Sequence, residues 1–338
     1  MKSLHLIGLI ALAAVALQAQ PTNGAVYWST SQPDCSSLNN ETAVTITDSS
    51  GTTIGYSCYV SGTFVWLAAG RGWSTSIRVA PASAPVGVDY SFYYTNGNAL
   101  SLNTTGSQTV SGSDVNFALY ANQPAELDLL GFTSDAPGYR STATGSVYAT
   151  FYCPDPTTCG NVLPQLLYSA LPTTPWSLSV PITWDSLTST QWSAEGIDDG
   201  ASRRVSLVIY NEDQTATTYT VRVYNSAGTL VGTGTTPSIP PLQNLGNGVL
   251  GEGVTYGVLL STVVSPLPSG IFKVLIDGGS LYSAVEMLQV NGASATTLQV
   301  AYDTAPLAAS SAAAIRRSDF KRSRVESTPK PVFSPLPR

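Results

Sequence analysis

The sequence of 338 residues has a single histidine, His5, and it lies in a segment that resembles a secretion signal. A chain that loses this segment has no imidazole, so it lacks the usual general base and the commonest metal ligand of proteins. Nucleophile systems of the Ser-His-Asp or Cys-His type cannot be built from the remaining residues. The absence of histidine therefore excludes a large class of hydrolases.

Charge is scarce and unevenly placed along the chain. Only 11% of the residues are charged, against about 25% in an average soluble protein. Residues 20–304 hold 7 Lys or Arg against 19 Asp or Glu, whereas residues 305–338 hold 7 against 2. An acidic body repels phosphates, so we expect no nucleic-acid partner. The basic tail predicts either docking onto an anionic envelope polymer or a solvated linker.

The start of the chain has the parts of a secretory signal peptide. Lys2 supplies a positive charge, residues 4–17 are almost wholly apolar, and small residues precede a cut after Ala19. The apolar run is shorter than the roughly 20 residues of a spanning helix, which makes a membrane anchor the less favoured alternative. We expect a secreted protein without a transmembrane span, located outside the cell, at its surface or in the periplasm.

The four cysteines favour disulfides, because their number is even and the chain is predicted to be exported. Four cysteines permit three pairings, and sequence proximity favours Cys35 with Cys58 and Cys153 with Cys159. A zinc site is the alternative. It would require all four thiolates to converge, and neither spacing is a CxxC motif.

Apolar and polar residues alternate with period two along much of the chain, which predicts strands with one buried face. In the run 88–94, for example, Val88, Tyr90 and Phe92 share a face. Short strands separated by turn residues are typical of antiparallel β-sandwiches. The other runs are 43–47, 74–79, 115–120, 146–152, 205–210, 218–224, 271–276, 281–288 and 297–302.

Two stretches of sequence recur at nearly one offset, which predicts duplicated domains. Residues 90–97 resemble 221–228, and residues 145–151 resemble 279–285. Prolines between residues 160 and 181 interrupt strand pairing, so we place a domain boundary there. The predicted organisation is a signal peptide (1–19), a small disulfide-pinned β element (20–68), a first sandwich (69–164), a second sandwich (165–304) and a disordered, basic, Pro-rich tail (305–338).

Three phrases carry a resemblance to known proteins: residues 72–77, which begin Gly-Trp, the aromatic-Asx-x-x-Gly turn at 223–228, and the Pro-x-Gly-apolar-x-apolar phrase at 268–274. Over roughly residues 70–303 the chain resembles uncharacterised exported bacterial proteins with tandem immunoglobulin-like domains. The resemblance implies an all-β fold of two antiparallel immunoglobulin-like β-sandwiches, and it brings no catalytic residues with it.

Six tryptophans offer aromatic surfaces on which sugar rings can stack, although packing in a core is the common use of this residue. We single out Trp73, Trp184 and Trp192 as candidate carbohydrate contacts. A carbohydrate-binding module that uses exposed tryptophans is therefore one functional hypothesis.

Acidic residues supply two further hypotheses. Asp198, Asp199 and Asp213 offer hard oxygens of the kind that calcium prefers, although each also fits an ordinary turn and the spacing is not an EF-hand. Paired carboxylates could catalyse glycoside hydrolysis without histidine. The candidate pairs are Glu126 with Asp128, and Asp185 with Glu195.

The sequence favours a non-catalytic, exported protein of structural or adhesion type, with no catalytic residue, cofactor or resident metal. Its partner is a surface polymer, a glycan or a protein, and its oligomeric state is left open. A carbohydrate-binding module is the first alternative, and a carboxylate-based hydrolase is the second.

Overall fold

The computed structural model describes residues 25–38, 43–80, 82–132, 141–170, 176–185, 189–213, 215–242, 244–246, 249–250, 253–278, 283–291, 294–298, 301–302 and 330–336. Most of them lie in strands, so the prediction of an all-β fold is confirmed. The helices of this part are short: α1 spans Pro156–Gly160 and α2 spans Leu260–Val263. No helix among the described residues is long and apolar enough to cross a membrane. The predicted signal peptide, 1–19, lies outside them.

The strands are numbered along the chain. The first are β1 (Val44–Thr47), β2 (Thr53–Gly70), β3 (Trp73–Val79), β4 (Val86–Tyr94), β5 (Leu102–Gly106), β6 (Ser111–Gly112), β7 (Asp114–Leu119), β8 (Ala125–Phe132), β9 (Thr142–Cys153), β10 (Pro164–Ala170), β11 (Trp176–Pro181) and β12 (Thr183–Trp184). The others are β13 (Gln191–Ile197), β14 (Arg203–Asn211), β15 (Tyr219–Asn225), β16 (Leu230–Thr235), β17 (Asn244–Gly246), β18 (Val249–Leu250), β19 (Val254–Leu259), β20 (Ile271–Gly278), β21 (Ser283–Asn291), β22 (Ser294–Leu298), β23 (Ala301–Tyr302) and β24 (Lys330–Pro331).

Strands β1–β12, together with β24, form two sheets that we call the first body. The seven-stranded sheet has the order β24-β1-β2-β9-β4-β7, with β12 paired to β2, and the six-stranded sheet has the order β11-β10-β3-β8-β5-β6. Side chains from both sheets meet in one hydrophobic core, where Phe64, Phe92 and Phe151 are fully buried. The strands pair antiparallel, except that β24 runs parallel to β1.

The second body consists of a five-stranded sheet, β16-β15-β20-β13-β23, and a four-stranded sheet, β19-β14-β21-β22. Strands β17 and β18 form a separate ribbon. The inner faces of the two sheets enclose a second core, in which Trp192 and Phe272 are fully buried. Tyr219, Val221 and Val223 point into this core from β15, as the alternation of the run 218–224 predicts.

The two bodies contact each other through the outer face of the four-stranded sheet. Val65 and Trp66 on β2 pack in a small buried cluster with Tyr210 on β14. Thr255 Oγ1 donates a hydrogen bond to the carbonyl oxygen of Val65 at 3.2 Å. A Cβ on Gly257 would stand 2.8 Å from a ring atom of Trp66, so this close approach requires glycine.

The strand pairing differs from two predicted boundaries. β1 and β2 do not form a separate element within residues 20–68, because β2 pairs with β9 from Cys58 to Gly70. β10 pairs with β3 and carries β11, although both lie beyond the boundary predicted at residue 164. Pro164 begins β10 and Pro181 ends the edge strand β11, where a missing amide hydrogen is tolerated. The described part of the chain is therefore still bonded to the first body at Asp185.

The end of the tail also differs from its predicted disorder over residues 305–338. Within the described residues 330–336, Lys330 pairs with β1, and Phe333 and Leu336 are buried. The prediction of disorder rested on the basic, Pro-rich composition of the tail and took no account of these two apolar side chains. Their burial offsets the conformational entropy that the segment loses on ordering. Residues 303–329 lie outside the described residues.

Candidate functional site

Trp192 is not available to a ligand, so its predicted role as a carbohydrate contact is wrong. The residue lies on β13 with a fully buried side chain. Its ring packs at a tilt against Tyr219, with centroids 6.2 Å apart. The physical reason is the alternation of β13, which turns Trp192 and Ala194 together toward the core of the second body.

Trp184 lines an open cleft of about 220 Å³ on the first body, which we call the Trp184 cleft. Its ring is partly buried and meets Phe151 edge-on, with centroids 6.0 Å apart. β12 pairs with β2 at Gly62, where a Cβ would stand 2.6 Å from the carbonyl oxygen of Thr183. Glycine at position 62 therefore permits the approach of the strand that carries Trp184. Trp73 packs against the core of the first body from β3.

The polar part of the Trp184 cleft is built around the carboxylate of Asp185. Ser61 Oγ donates a hydrogen bond to Asp185 Oδ2 at 2.7 Å, and the Tyr148 hydroxyl donates to the same oxygen at 3.2 Å. Leu38 and other apolar residues complete the lining. An indole beside an oriented carboxylate can hold the apolar face of a sugar ring and accept hydrogen bonds from its hydroxyls.

A second cleft, of about 410 Å³, opens on the outer face of the five-stranded sheet, and we call it the Lys273 cleft. Lys273 on β20 lies opposite Glu195 on β13 and opposite Tyr224 on β15. Ile271, which is 57% exposed, and Leu275 flank Lys273 on the same strand. The cleft therefore presents an ammonium group, a carboxylate, a phenol and apolar surface to solvent, a combination suited to binding.

The carboxylate pairs proposed for hydrolysis have other surroundings. Asp185 lines the Trp184 cleft in the first body, whereas Glu195 lines the Lys273 cleft in the second. Glu126 forms an ion pair with Arg78 at 2.8 Å, and this hydrogen bond lowers the pKa of Glu126. Desolvation raises the pKa of Asp128, with a further contribution from the charge of Glu126. Glu126 is thus committed to a cross-strand ion pair.

The three calcium candidates cap their own turns. Asp198 accepts a hydrogen bond from the amide of Val205 at 2.9 Å. Asp199 accepts from the amide of Arg203 at 2.8 Å and from its Nε at 3.0 Å, and the backbone bond above all lowers the pKa of Asp199. Asp213 accepts from the amide two residues later at 3.3 Å. Among the described residues, no group of three His, Cys, Asp or Glu side chains could hold a metal ion.

The four cysteines form the disulfides Cys35–Cys58 and Cys153–Cys159, the pairing that sequence proximity favours. Cys58 lies opposite Cys153 in the register of β2 and β9, so the two bridges meet at one place on the sheet. The cysteines do converge, as the zinc hypothesis requires, but their sulfurs are bonded in pairs. One bridge ties the N-terminal segment to β2, and the other closes the turn that contains α1.

No protein-family model, curated protein or solved structure matches this chain. The resemblance to exported bacterial proteins with immunoglobulin-like domains therefore stays a prediction.

Sequence reasoning missed the polar partners in the Trp184 cleft. Ser61 and Tyr148 reach Asp185 from strands that are distant in sequence, so no local pattern joins them. The available signal was the neighbouring pair Trp184 and Asp185, an aromatic residue followed by an acid.

Proposed function

We propose that this protein is an exported, non-catalytic protein of structural or adhesion type, built from two immunoglobulin-like sandwiches, and that it acts by binding. The observation that carries the proposal is the Lys273 cleft. It combines charge of both signs with exposed apolar surface, and it opens on the outer face of a sheet. The two disulfides support export, because such bridges persist in oxidising compartments.

The surroundings of Asp198, Asp199 and Glu126 support binding over catalysis. Asp198 and Asp199 accept backbone hydrogen bonds, and Glu126 is paired with Arg78. General acid or base catalysis needs a group that can exchange its proton with a substrate. Carboxylates held in this way are poor candidates for that task, and the mature sequence offers no histidine in their place.

The proposal is tested with the mature chain, residues 20–338, on cell-envelope preparations, purified polysaccharides, and glycosidase and esterase substrates. We expect saturable binding without turnover, weakened at least tenfold by Lys273→Glu or Ile271→Asp. Leu230→Asp is the matched control, because Leu230 is 49% exposed on the same sheet but outside the cleft. Turnover that one carboxylate substitution abolishes would contradict the proposal, as would equal weakening in the control.

The second candidate function is the binding of a glycan in the Trp184 cleft. It is favoured because Trp184 and Asp185 line the same cleft. Binding on a glycan array should shift the tryptophan fluorescence and should be lost in Trp184→Ala and in Asp185→Asn. Trp73→Ala is the control, because Trp73 is also partly buried against the core of the first body but does not line this cleft. Glycan binding that survives Trp184→Ala would exclude this cleft.

A further inference from the structure

The C-terminal segment 330–336 lies in a groove on the outer face of the seven-stranded sheet. We call it the tail groove, and its walls include Tyr27, Ala118 and Tyr152. The ring of Phe333 stacks on Tyr27 with centroids 5.5 Å apart and meets Tyr152 edge-on at 5.6 Å. Only 4% of Phe333 is exposed, and its ring contacts make this side chain the main anchor of the segment. Leu336, which is 5% exposed, is a second buried side chain and packs in the core of the first body.

Main-chain hydrogen bonds join the segment to two different strands of the sheet. The amide of Val332 donates to the carbonyl oxygen of Thr47 on β1 at 3.1 Å. On β7, Ala118 donates its amide to the carbonyl oxygen of Ser334 and accepts from the amide of Leu336, each at 2.9 Å. Strand addition combined with an aromatic anchor is a recurring way in which proteins recognise extended peptides.

The covalent link between this segment and the second body is long. Residues 303–329 separate β24 from β23, and fully extended they would reach roughly 90 Å, about three times the diameter of a small domain. This length does not restrict the segment to the groove of its own copy. The tail is basic and the body is acidic, so the tail of another copy is attracted to the body as well.

We propose that the tail groove is a peptide-binding site that accepts the C-terminal segment of a second copy of this chain. An incoming segment replaces an identical one, so every contact of the groove is kept. Reciprocal exchange between two copies gives a closed dimer, and one-way docking gives open chains, because the contact joins different surfaces of the two copies. Docking between copies competes with docking within a copy, and it increases with protein concentration.

The groove is tested first with peptides on the full chain. Phe333→Ala removes the main anchor from the chain's own tail, leaves Leu336 in place and leaves the groove walls unchanged. A fluorescently labelled peptide of residues 328–338 should bind this variant, and the same peptide with Phe333→Ala should bind at least tenfold more weakly. A peptide with Val332→Ala is the matched control and should bind normally, because Val332 is 42% exposed. Absence of binding, or equal affinity of the three peptides, overturns the proposal.

A second experiment applies if the Phe333→Ala chain does not fold. The native chain receives a protease site within residues 303–329 and is cut after folding, so that the tail stays in its groove without a covalent link. The labelled peptide should then displace the released tail, which fluorescence anisotropy follows. Displacement supports the proposal, and a tail that does not exchange at millimolar peptide overturns it.

Assembly between copies is tested by complementation. The Phe333→Ala chain supplies an intact groove with a weakened tail, and a Tyr27→Ala chain supplies an intact tail with a damaged groove. In analytical ultracentrifugation, each variant alone should remain monomeric and the mixture should form a one-to-one complex. A mixture that stays monomeric at concentrations that saturate peptide binding overturns the role of a second copy.

Discussion

Glu286 should make the stability of this protein fall as the pH rises through neutrality. It lies on β21 between Val285 and Met287, which point into the core of the second body, so Glu286 faces the opposite side, where the first body packs. Neither of its carboxyl oxygens has a hydrogen-bond partner among the described residues. Burial raises the pKa of Glu286 from 4.5 to about 8.

The described strands that pack around Glu286 bring no charge that compensates its ionised form. β2, which packs against this face from the first body, has no charged residue. The neighbour of Glu286 on β14 is Val208. Arg204 lies on the same face of β14 but opposite Val290, which is roughly 13 Å further along β21. An ionised Glu286 would therefore be buried without a counter-charge, which is costly.

The pH dependence of stability follows from the difference in proton binding between the folded and unfolded chains. Below pH 4.5 the Glu286 carboxyl is protonated in both, and its contribution to stability is fully present. Between pH 4.5 and about 8 the unfolded chain releases the proton while the folded chain keeps it, so the free energy of unfolding falls by about 1.4 kcal/mol per pH unit. From pH 5 to pH 8 the loss is roughly 3 to 4 kcal/mol, and it levels off above.

Urea unfolding of a chain of residues 20–338 at pH 5, 6, 7 and 8 measures this slope. Residues 20–338 contain no histidine, so no imidazole titrates in this range. Glu286→Gln should give a flat profile, and Glu195→Gln, at an exposed position, should keep the native slope. A native free energy of unfolding that does not change between pH 5 and pH 8 refutes the reasoning. A slope that survives in Glu286→Gln refutes it as well.

Two further predictions concern the core and the disulfides. Trp192→Ala empties the site of a fully buried indole and should lower the free energy of unfolding by about 3–5 kcal/mol, and a native urea midpoint would contradict the burial of Trp192. Replacing Cys35 and Cys58 by alanine should cost about 3 kcal/mol, and replacing Cys153 and Cys159 about 2 kcal/mol, because the bridged residues are 23 and 6 positions apart. Thermal unfolding of the two variants checks this order, which a more stable Cys35–Cys58 variant would contradict.

Alternation in the sequence is a sound guide wherever a strand has one covered face. The run 88–94 forms most of β4, and Val88, Tyr90 and Phe92 are buried as predicted. The same rule does not find β2, the long strand at the centre of the first body. Its residues are buried almost continuously, because both faces of the strand are covered, and such a strand shows no period of two.

The features of the candidate sites also divide into those that local alternation predicts and those that it does not. The inward direction of Trp192 can be inferred from β13 alone, since alternate positions of a strand share a face. The Trp184 cleft cannot be inferred locally, because Ser61 and Asp185, which meet there, are 124 residues apart. The contact between Phe333 and Tyr27 cannot be inferred locally either, since Tyr27 lies near the other end of the chain.

β2 connects these non-local features. Three different parts of the molecule pack in succession on its outer face: the N-terminal segment, the segment that contains Asp185, and the second body. Ser57 Oγ donates to the carbonyl oxygen of Tyr27 at 2.6 Å, which holds the N-terminal segment. Ser61 Oγ donates to Asp185 at 2.7 Å, and the carbonyl oxygen of Val65 accepts from the second body. Each of these polar groups loses its hydrogen bond to water on burial and gains one to the segment that packs on it. The tail groove, the Trp184 cleft and the contact between the bodies therefore all depend on polar side-chain or backbone groups of one central strand.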